Sequence, residues 1–471
     1  MQLFVMILMM GLLAHDAASI GLAPDLSGPL MATIFIGPYA ILVVMVMWAC
    51  RRAMWRLSTQ PESSARWMRR LDRINTLARL LVLGLFMADL YLLGLLTWLR
   101  DGIGHWVLLP DVAALSLPLG SVIMMWWAYY PIDRRLREAT LIRQFDTGEP
   151  VWTIGTRSEY VLSQIRHQLL LMLVPLLVLL GWTQIVERVT QPGMALAPYR
   201  IGLILLGGAG AFTLAPLMIR YVWDTVALPE GPLRQRLLEL CRAHGVRVRQ
   251  LLLWRTYGGM INGAVMGVSR HVRYILLTDG LIQRMSDRQI ESVMAHELGH
   301  IVRRHMPWMI VCAMAVLWAL AAAMDSATAG LQIAGILPDL DISPYWAMGT
   351  DAVATLILVG LWALAFGYIS RRFERQADTF AVQHMAHDGV ITNEAVEAVA
   401  DALTDVALLN RMTPHQKSWR HGSIAWRINY LRTLVGRPVD QCEIDRLVAR
   451  IRWACGLLLA CMIAIEYLRT M

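Results

Sequence analysis

The sequence predicts a mainly α-helical, polytopic membrane protein with about 7–9 spanning helices and a polar portion that contains a small β-sheet. Three observations carry this. Of the 471 residues, 57% are hydrophobic and only 17% charged, with a mean hydropathy of +0.49, richer in apolar residues than an ordinary soluble domain. The apolar residues fall into blocks of about 20, the length a helix needs to cross roughly 30 Å of hydrocarbon. The basic residues, almost all arginine, concentrate in particular loops.

Taken in order, the spans are expected at 2–19, 31–50, 77–98, 106–130, 165–185, 200–221, 306–324, 350–370 and 452–468. The first, MQLFVMILMMGLLAHDAAS, has no basic residue ahead of its apolar run, which favours a retained helix over a cleaved signal peptide. Residues 51–76 carry Arg51, Arg52, Arg56, Arg66, Arg69, Arg70 and Arg73, whereas 20–30 and 325–349 carry no Lys or Arg. By the positive-inside rule 51–76 is cytosolic; 131–164, 222–305 and 371–451 then fall on the same side and 186–199 outside. This loop clustering argues against nucleic-acid binding as the meaning of the +8 net charge. The six cysteines lack CxxC spacing and read as buried small hydrophobes. Asp89 and Asp111 lie inside expected spans, where a carboxylate faces a cavity or a partner; hydrogen bonding near a helix end is the plainer reading, more so for Asp111.

Five stretches follow: a multi-span region (1–221), a first polar part (222–305), two membrane helices (306–370), a second polar part (371–451) and a C-terminal membrane helix (452–471). In the first polar part, Pro229 and Gly231-Pro232 open an amphipathic helix that stops at Gly245. VRVRQLLLWRT reads as a strand, the glycine-rich TYGGMINGAVMGV as a connection, and HVRYILLT as a second strand. Ser286, with Gln289 three residues on, forms a capping box that starts a helix through SDRQIESVMAHELGHIVRRH, and Pro307 separates this from the next span. The second polar part contains the amphipathic TNEAVEAVADALTDVALLNR, too charged for lipid.

His296-Glu297-Leu298-Gly299-His300 is an HExxH motif. Residues i and i+4 share a helix face, so both imidazoles can reach one zinc while Glu297 serves as general base. The bland alternative is a helix with two surface histidines and an unrelated carboxylate. A catalytic zinc takes three protein ligands, and downstream SRRFERQADTFA places Glu374 and Asp378 four apart on a helix leaving the 350–370 span on the same side. Glu374 is the expected third ligand of one zinc per chain, and Asp378 the residue that orients a ligand imidazole. Without HExxH, a solvated face balancing Arg371, Arg372 and Arg375 would be the preferred reading of that pair.

Over 231–435 the chain resembles the integral-membrane zinc metalloproteases of the CAAX prenyl protease and HtpX type. The shared features occur in order: a helix, a strand, an Asn-x-Ala-like segment, a Leu-Leu-Thr-Asp-Gly-Leu run, HELGH with His305 after it, two spans, and Arg-xx-Glu-xx-Ala-Asp. The resemblance implies a zincin-like domain on the cytosolic side, with zinc on His296, His300 and Glu374. It also implies that Asn262 and Ala264 lie on an edge strand pairing with the substrate backbone; here Gly263 stands between them. His421 and Arg427, six apart, are implied to stabilise the transition state, although the proline that commonly follows the histidine is missing. His384 and His415 read as packing or surface histidines.

The expected partners are therefore a membrane-associated polypeptide substrate and the lipid bilayer. An intramembrane protease of the site-two type is disfavoured, because Arg284, Asp287, Arg288, Glu291, Arg303 and Arg304 flank the motif. A non-proteolytic sensor or scaffold would need a lost ligand or base, and none is lost. The family spans prenylated-peptide maturation and clearance of damaged membrane proteins; an arginine-rich, lysine-poor chain hints at a bacterial inner membrane and quality control.

Overall fold

The computed structural model describes residues 4–5, 7–9, 11–12, 28–59, 64–147, 155–257, 260–334, 344–386, 389–410 and 412–470. The chain divides into two compact units, Met1–Trp223 and Asp224–Met471.

The first unit is helical: α1 (Gly28–Thr59), α2 (Ser64–Tyr91), α3 (Leu95–Ile103), α4 (Leu109–Thr147), α5 (Arg157–Val189, with one π turn at Ile165–Leu170) and α6 (Arg200–Val222). Phe35, Phe86, Leu90, Leu96, Leu115 and Ile132 form its interior, while α1 also exposes Ile41, Val44, Met45 and Trp48. Apolar side chains on both faces suit a helix surrounded by lipid. The span expected at 77–98 is interrupted: Gly94 adopts φ 66° and starts α3 in a new direction, burying Leu95 and Leu96. Both membrane carboxylates have neutral donors. Asp89 Oδ2 accepts from the Tyr39 hydroxyl at 2.7 Å, and Asp111 Oδ2 from Gln184 Nε2 at 2.9 Å, so neither buried group is left unpaired.

The second unit begins with β1 (Thr225–Ala227), α7 (Pro232–Ala243), β2 (Gln250–Trp254), β3 (Gly263–Met266) and β4 (Tyr274–Thr278). The sheet order is β1-β2-β4-β3, with β2 and β4 parallel and the outer pairs antiparallel. The alternating VRVR run lies ahead of β2, and β3 arises from the glycine-rich stretch that its residues alone suggest is a connection and the resemblance suggests is an edge strand. Short α8 (Asp279–Arg284) then leads to α9 (Asp287–Val302), capped by Ser286 and Gln289 as expected. After it come α10 (His305–Ile333), α11 (Pro344–Met385), α12 (Asn393–Leu409), α13 (Ile424–Arg432) and α14 (Glu443–Thr470). Pro307 is not the separator of α9 and α10. It lies in the first turn of α10, where a missing N–H costs nothing, and the break is Arg304, at φ 52°.

Helix α9 is the spine of this unit. Ile290, Met294 and Leu298 pack with Leu251, Ile275 and Leu277 of the sheet, while Ala295 packs with Phe373, Ala381 and Val382 of α11. A Cβ at Gly299 would stand 3.1 Å from Phe380 Cβ and 3.2 Å from the Ala377 Cα. Glycine there lets the backbones of α9 and α11 approach.

Among the described residues, seven helices are long and apolar enough to cross a membrane: Gly28–Thr59, Arg66–Tyr91, Leu109–Glu138, Arg157–Val189, Ala197–Val222, His305–Ile333 and Glu443–Ile465. The span expected at 2–19 falls partly outside the described residues, and the one expected at 350–370 lies within the longer helix α11. All six cysteines are free thiols.

Candidate metal centre

The helical period of α9 puts His296 and His300 one turn apart, and the approach of α11 at Gly299 carries Glu374 to them. His296 Nε2 and His300 Nε2 are 3.2 Å apart. Glu374 Oε2 is 3.7 Å from the first and Glu374 Oε1 is 3.8 Å from the second. Ligands held at 2.0–2.1 Å around a tetrahedral zinc stand about 3.3–3.4 Å from one another. One donor atom from each of the three residues lies within 4.8 Å of the other two, and two imidazoles with one carboxylate suit zinc.

The residues around them are held in turn. His296 Nδ1 lies 2.9 Å from Asp378 Oδ1, a close ionic contact that is off-axis as a hydrogen bond, since no aligned partner meets that nitrogen. Asp378 is gripped by Arg427 through Nε to Oδ2 at 2.7 Å and through Nη2 to Oδ1, and Arg427 Nη1 is 3.7 Å from Glu374 Oε2. His421 Nδ1 lies 3.0 Å from Glu374 Oε1 with its side chain half exposed. Glu297 accepts a hydrogen bond from the Val265 backbone.

Burial pushes Glu297 up to about 7, with the Glu374 charge adding to the rise and His296 opposing it. Burial also acts to raise Glu374, but the hydrogen bond from His421 and the charges of His300 and Arg427 hold it well below the usual range. Asp378 behaves alike: burial is outweighed by Arg427 and it falls to about 2. Burial lowers His300 to about 4. His296 is raised, because Asp378 outweighs the effect of its burial. The cluster therefore combines one carboxyl poised near neutrality with two firmly ionised ones.

Seven of the expected residues thus converge: His296, Glu297, His300, Glu374, Asp378, His421 and Arg427. Asn262 and Ala264 sit differently. Asn262 is exposed just ahead of β3, its N–H bonded to Thr278 Oγ1 at 3.0 Å, and Ala264 pairs with Leu276. The strand meets α9 through Gly263, whose Cβ would stand 3.0 Å from Val293 Cγ1 and 3.5 Å from Glu297 Cγ. Successive strand residues face opposite ways, so Asn262 and Ala264 share the face turned from α9. Sequence reasoning named His305 only as a feature of the resemblance, without a role, and missed Gln376 and Asp445; all three lie behind His300.

Residues 228–435 match the model of peptidase family M48. They are a peptidase family M48 domain. The M48 match spans β2, β3 and β4 of the sheet, HExxH and every converging residue above. Among solved structures, the crystal structure of S. mikatae Ste24p is similar, with a TM-score of 0.52 at 14% identity, covering 85% of this chain and 98% of that one. No curated protein matches the chain by sequence. With an M48 domain and, among the described residues, seven helices long and apolar enough to cross a membrane, the chain is a membrane metallopeptidase.

Proposed function

We propose that the chain is a zinc-dependent endopeptidase that cleaves membrane-associated, lipidated or misfolded proteins, with its site on the cytosolic face of a bacterial inner membrane. The observation that carries this is the meeting of His296 Nε2, His300 Nε2 and Glu374 beside Glu297. Zinc on those three donors would supply a Lewis acid that polarises the scissile carbonyl and acidifies water.

Glu297 takes the proton of the attacking water and returns it to the leaving amine; an affinity near pH 7 suits both directions. His421, half exposed beside Glu374, is placed to donate to the developing oxyanion. Arg427 is expected from the resemblance to share that role, but its Nε and Nη2 are spent on Asp378. It serves by holding Asp378, and through it His296. An extended substrate adds along β3, with Asn262 and Ala264 flanking the glycine that admits it to Glu297. The distribution of arginine in the loops supports the cytosolic orientation.

The test is Glu297→Gln. Purified variant protein should retain one zinc per chain while peptide cleavage falls by about 10²–10⁴. A variant that still cleaves, or a wild-type protein that binds no zinc, would sink the reading. The inactive variant, expressed as a trap, should capture membrane-associated polypeptides; reproducible capture of none would favour the sensor alternative.

A further inference from the structure

Behind His300 lies a second imidazole that the hydrolytic scheme does not use. His305 is 2% exposed and stacks on Phe373 at a centroid distance of 4.7 Å. Its Nδ1 is 2.8 Å from His300 Nδ1, and its Nε2 is 2.9 Å from Gln376 Oε1. Gln376 Nε2 in turn donates to Asp445 Oδ1 at 2.6 Å. The far carboxylate oxygen, Asp445 Oδ2, faces Arg303 Nη2 at 3.3 Å. Four elements contribute: α9, the first residue of α10, α11 and α14.

The proton positions along this chain are determined from its far end. A carboxylate only accepts, so the Gln376 group facing Asp445 is its NH₂. The Gln376 oxygen, which also accepts from Arg452 Nη2 at 3.3 Å, must then accept from His305 Nε2–H. A buried neutral imidazole protonated on Nε2 has a bare Nδ1, which accepts from His300 Nδ1–H. His300 is left with its Nε2 lone pair free, and Nε2 is the atom that meets His296 and Glu374. Every donor in the sequence finds one acceptor, and only this sense of the chain satisfies all of them.

We infer that His305, Gln376 and Asp445 are positioning residues that lock His300 in the Nδ1–H tautomer and aim its Nε2 at the metal. The two histidine ligands are then oriented by different devices. His296 has a carboxylate against it, held by Arg427; His300 has a neutral relay whose carboxylate lies three links away on α14. The backbone break makes this possible. In a continuous helix residues five apart point about 140° apart, and the left-handed Arg304 turns the chain so that His305 folds back against His300.

The inference rests on the metal reading above, and two shortened side chains test it separately. Asn at 305 places an oxygen near the Nδ1 position and keeps an acceptor for His300. Gln at 305 reaches the Nε2 position, keeps the contact with Gln376 and loses that acceptor. Both remove the ring packed on Phe373. In zinc-retention assays against a graded chelator, His305→Gln should weaken retention by about 10–100-fold, and His305→Asn should recover most of that loss. Equal losses, no losses or the reverse order would overturn the relay while leaving the metal reading intact; a wild-type protein that retains no zinc would overturn that reading instead. A measurement on metal-free wild-type protein needs no variant to fold. Nitrogen NMR of ¹⁵N-histidine-labelled protein should find His300 protonated on Nδ1 and His305 on Nε2, and the opposite pair of tautomers would overturn the relay.

Discussion

At the scale of single residues, Arg427 and Asp378 illustrate how much of the site's order depends on one ion pair. Their side chains are 7% and 1% exposed, so removing the cation strands a buried carboxylate against His296. Arg427→Met should cost about 3–5 kcal/mol, read as a lower denaturation midpoint and weaker zinc retention; an unchanged midpoint would mean that the pair is dispensable. The two partners differ in legibility. Asp378 follows Glu374 by one helical turn and so shows itself in spacing, whereas Arg427 is separated by 49 residues and only the resemblance points to it. His305 was harder still, because a separation of five says nothing about contact until the helix is known to break. Its partner Asp445 comes from a helix remote in sequence, with no motif of its own.

At the scale of elements, α7, α9 and α11 are tied together by a chain of three side chains. His244 Nε2, at the end of α7, is 3.1 Å from His384 Nδ1 on α11, and His384 Nε2 is 3.0 Å from Glu291 Oε1 on α9. Burial, with the neighbouring His384, lowers the pKa of His244 below its ordinary value. The folded protein therefore binds fewer protons than the unfolded chain once the pH falls through about 6.5. Stability is fully present above that value and declines below it, until the depressed folded pKa is passed. Between about pH 7.5 and 5.5 the thermal midpoint should fall, and His244→Gln should flatten this slope; an unchanged slope would assign the acid sensitivity elsewhere. The helix that carries HExxH was legible to its first residue, because a capping box is a local pattern. The break of α2 at Gly94 was not, since one glycine in a long apolar run is compatible with a continuous span. The edge strand β3 was legible only through the resemblance, for a related reason: glycine weakens the strand signal, yet close packing on α9 demands it.

At the scale of the whole molecule, apolar blocks and arginine asymmetry made the membrane character plain, because lipid imposes its length and charge rules on every span. Assembly of the site was less visible, since its proposed ligands lie on two helices separated by a membrane helix in the chain. A metal bridging α9 and α11 stabilises by mass action. Stripping it with a chelator should lower the thermal midpoint of the Asp224–Met471 unit, and one equivalent of zinc should restore it; indifference to chelator would argue against a bridge.

The order of these elements along the chain also bears on biosynthesis. His296 and His300 are made first, α10 follows, and Glu374 is added only on α11. Asp445, which terminates the relay behind His300, is made later again. At roughly 5–20 residues per second, the interval from His296 to Asp445 is on the order of 10–30 s. A nascent chain paused between His300 and Glu374 has two of the three proposed ligands and no completed centre. On the proposed ligand set, the order of translation would keep the centre incomplete at the ribosome until the intervening membrane helix has been made.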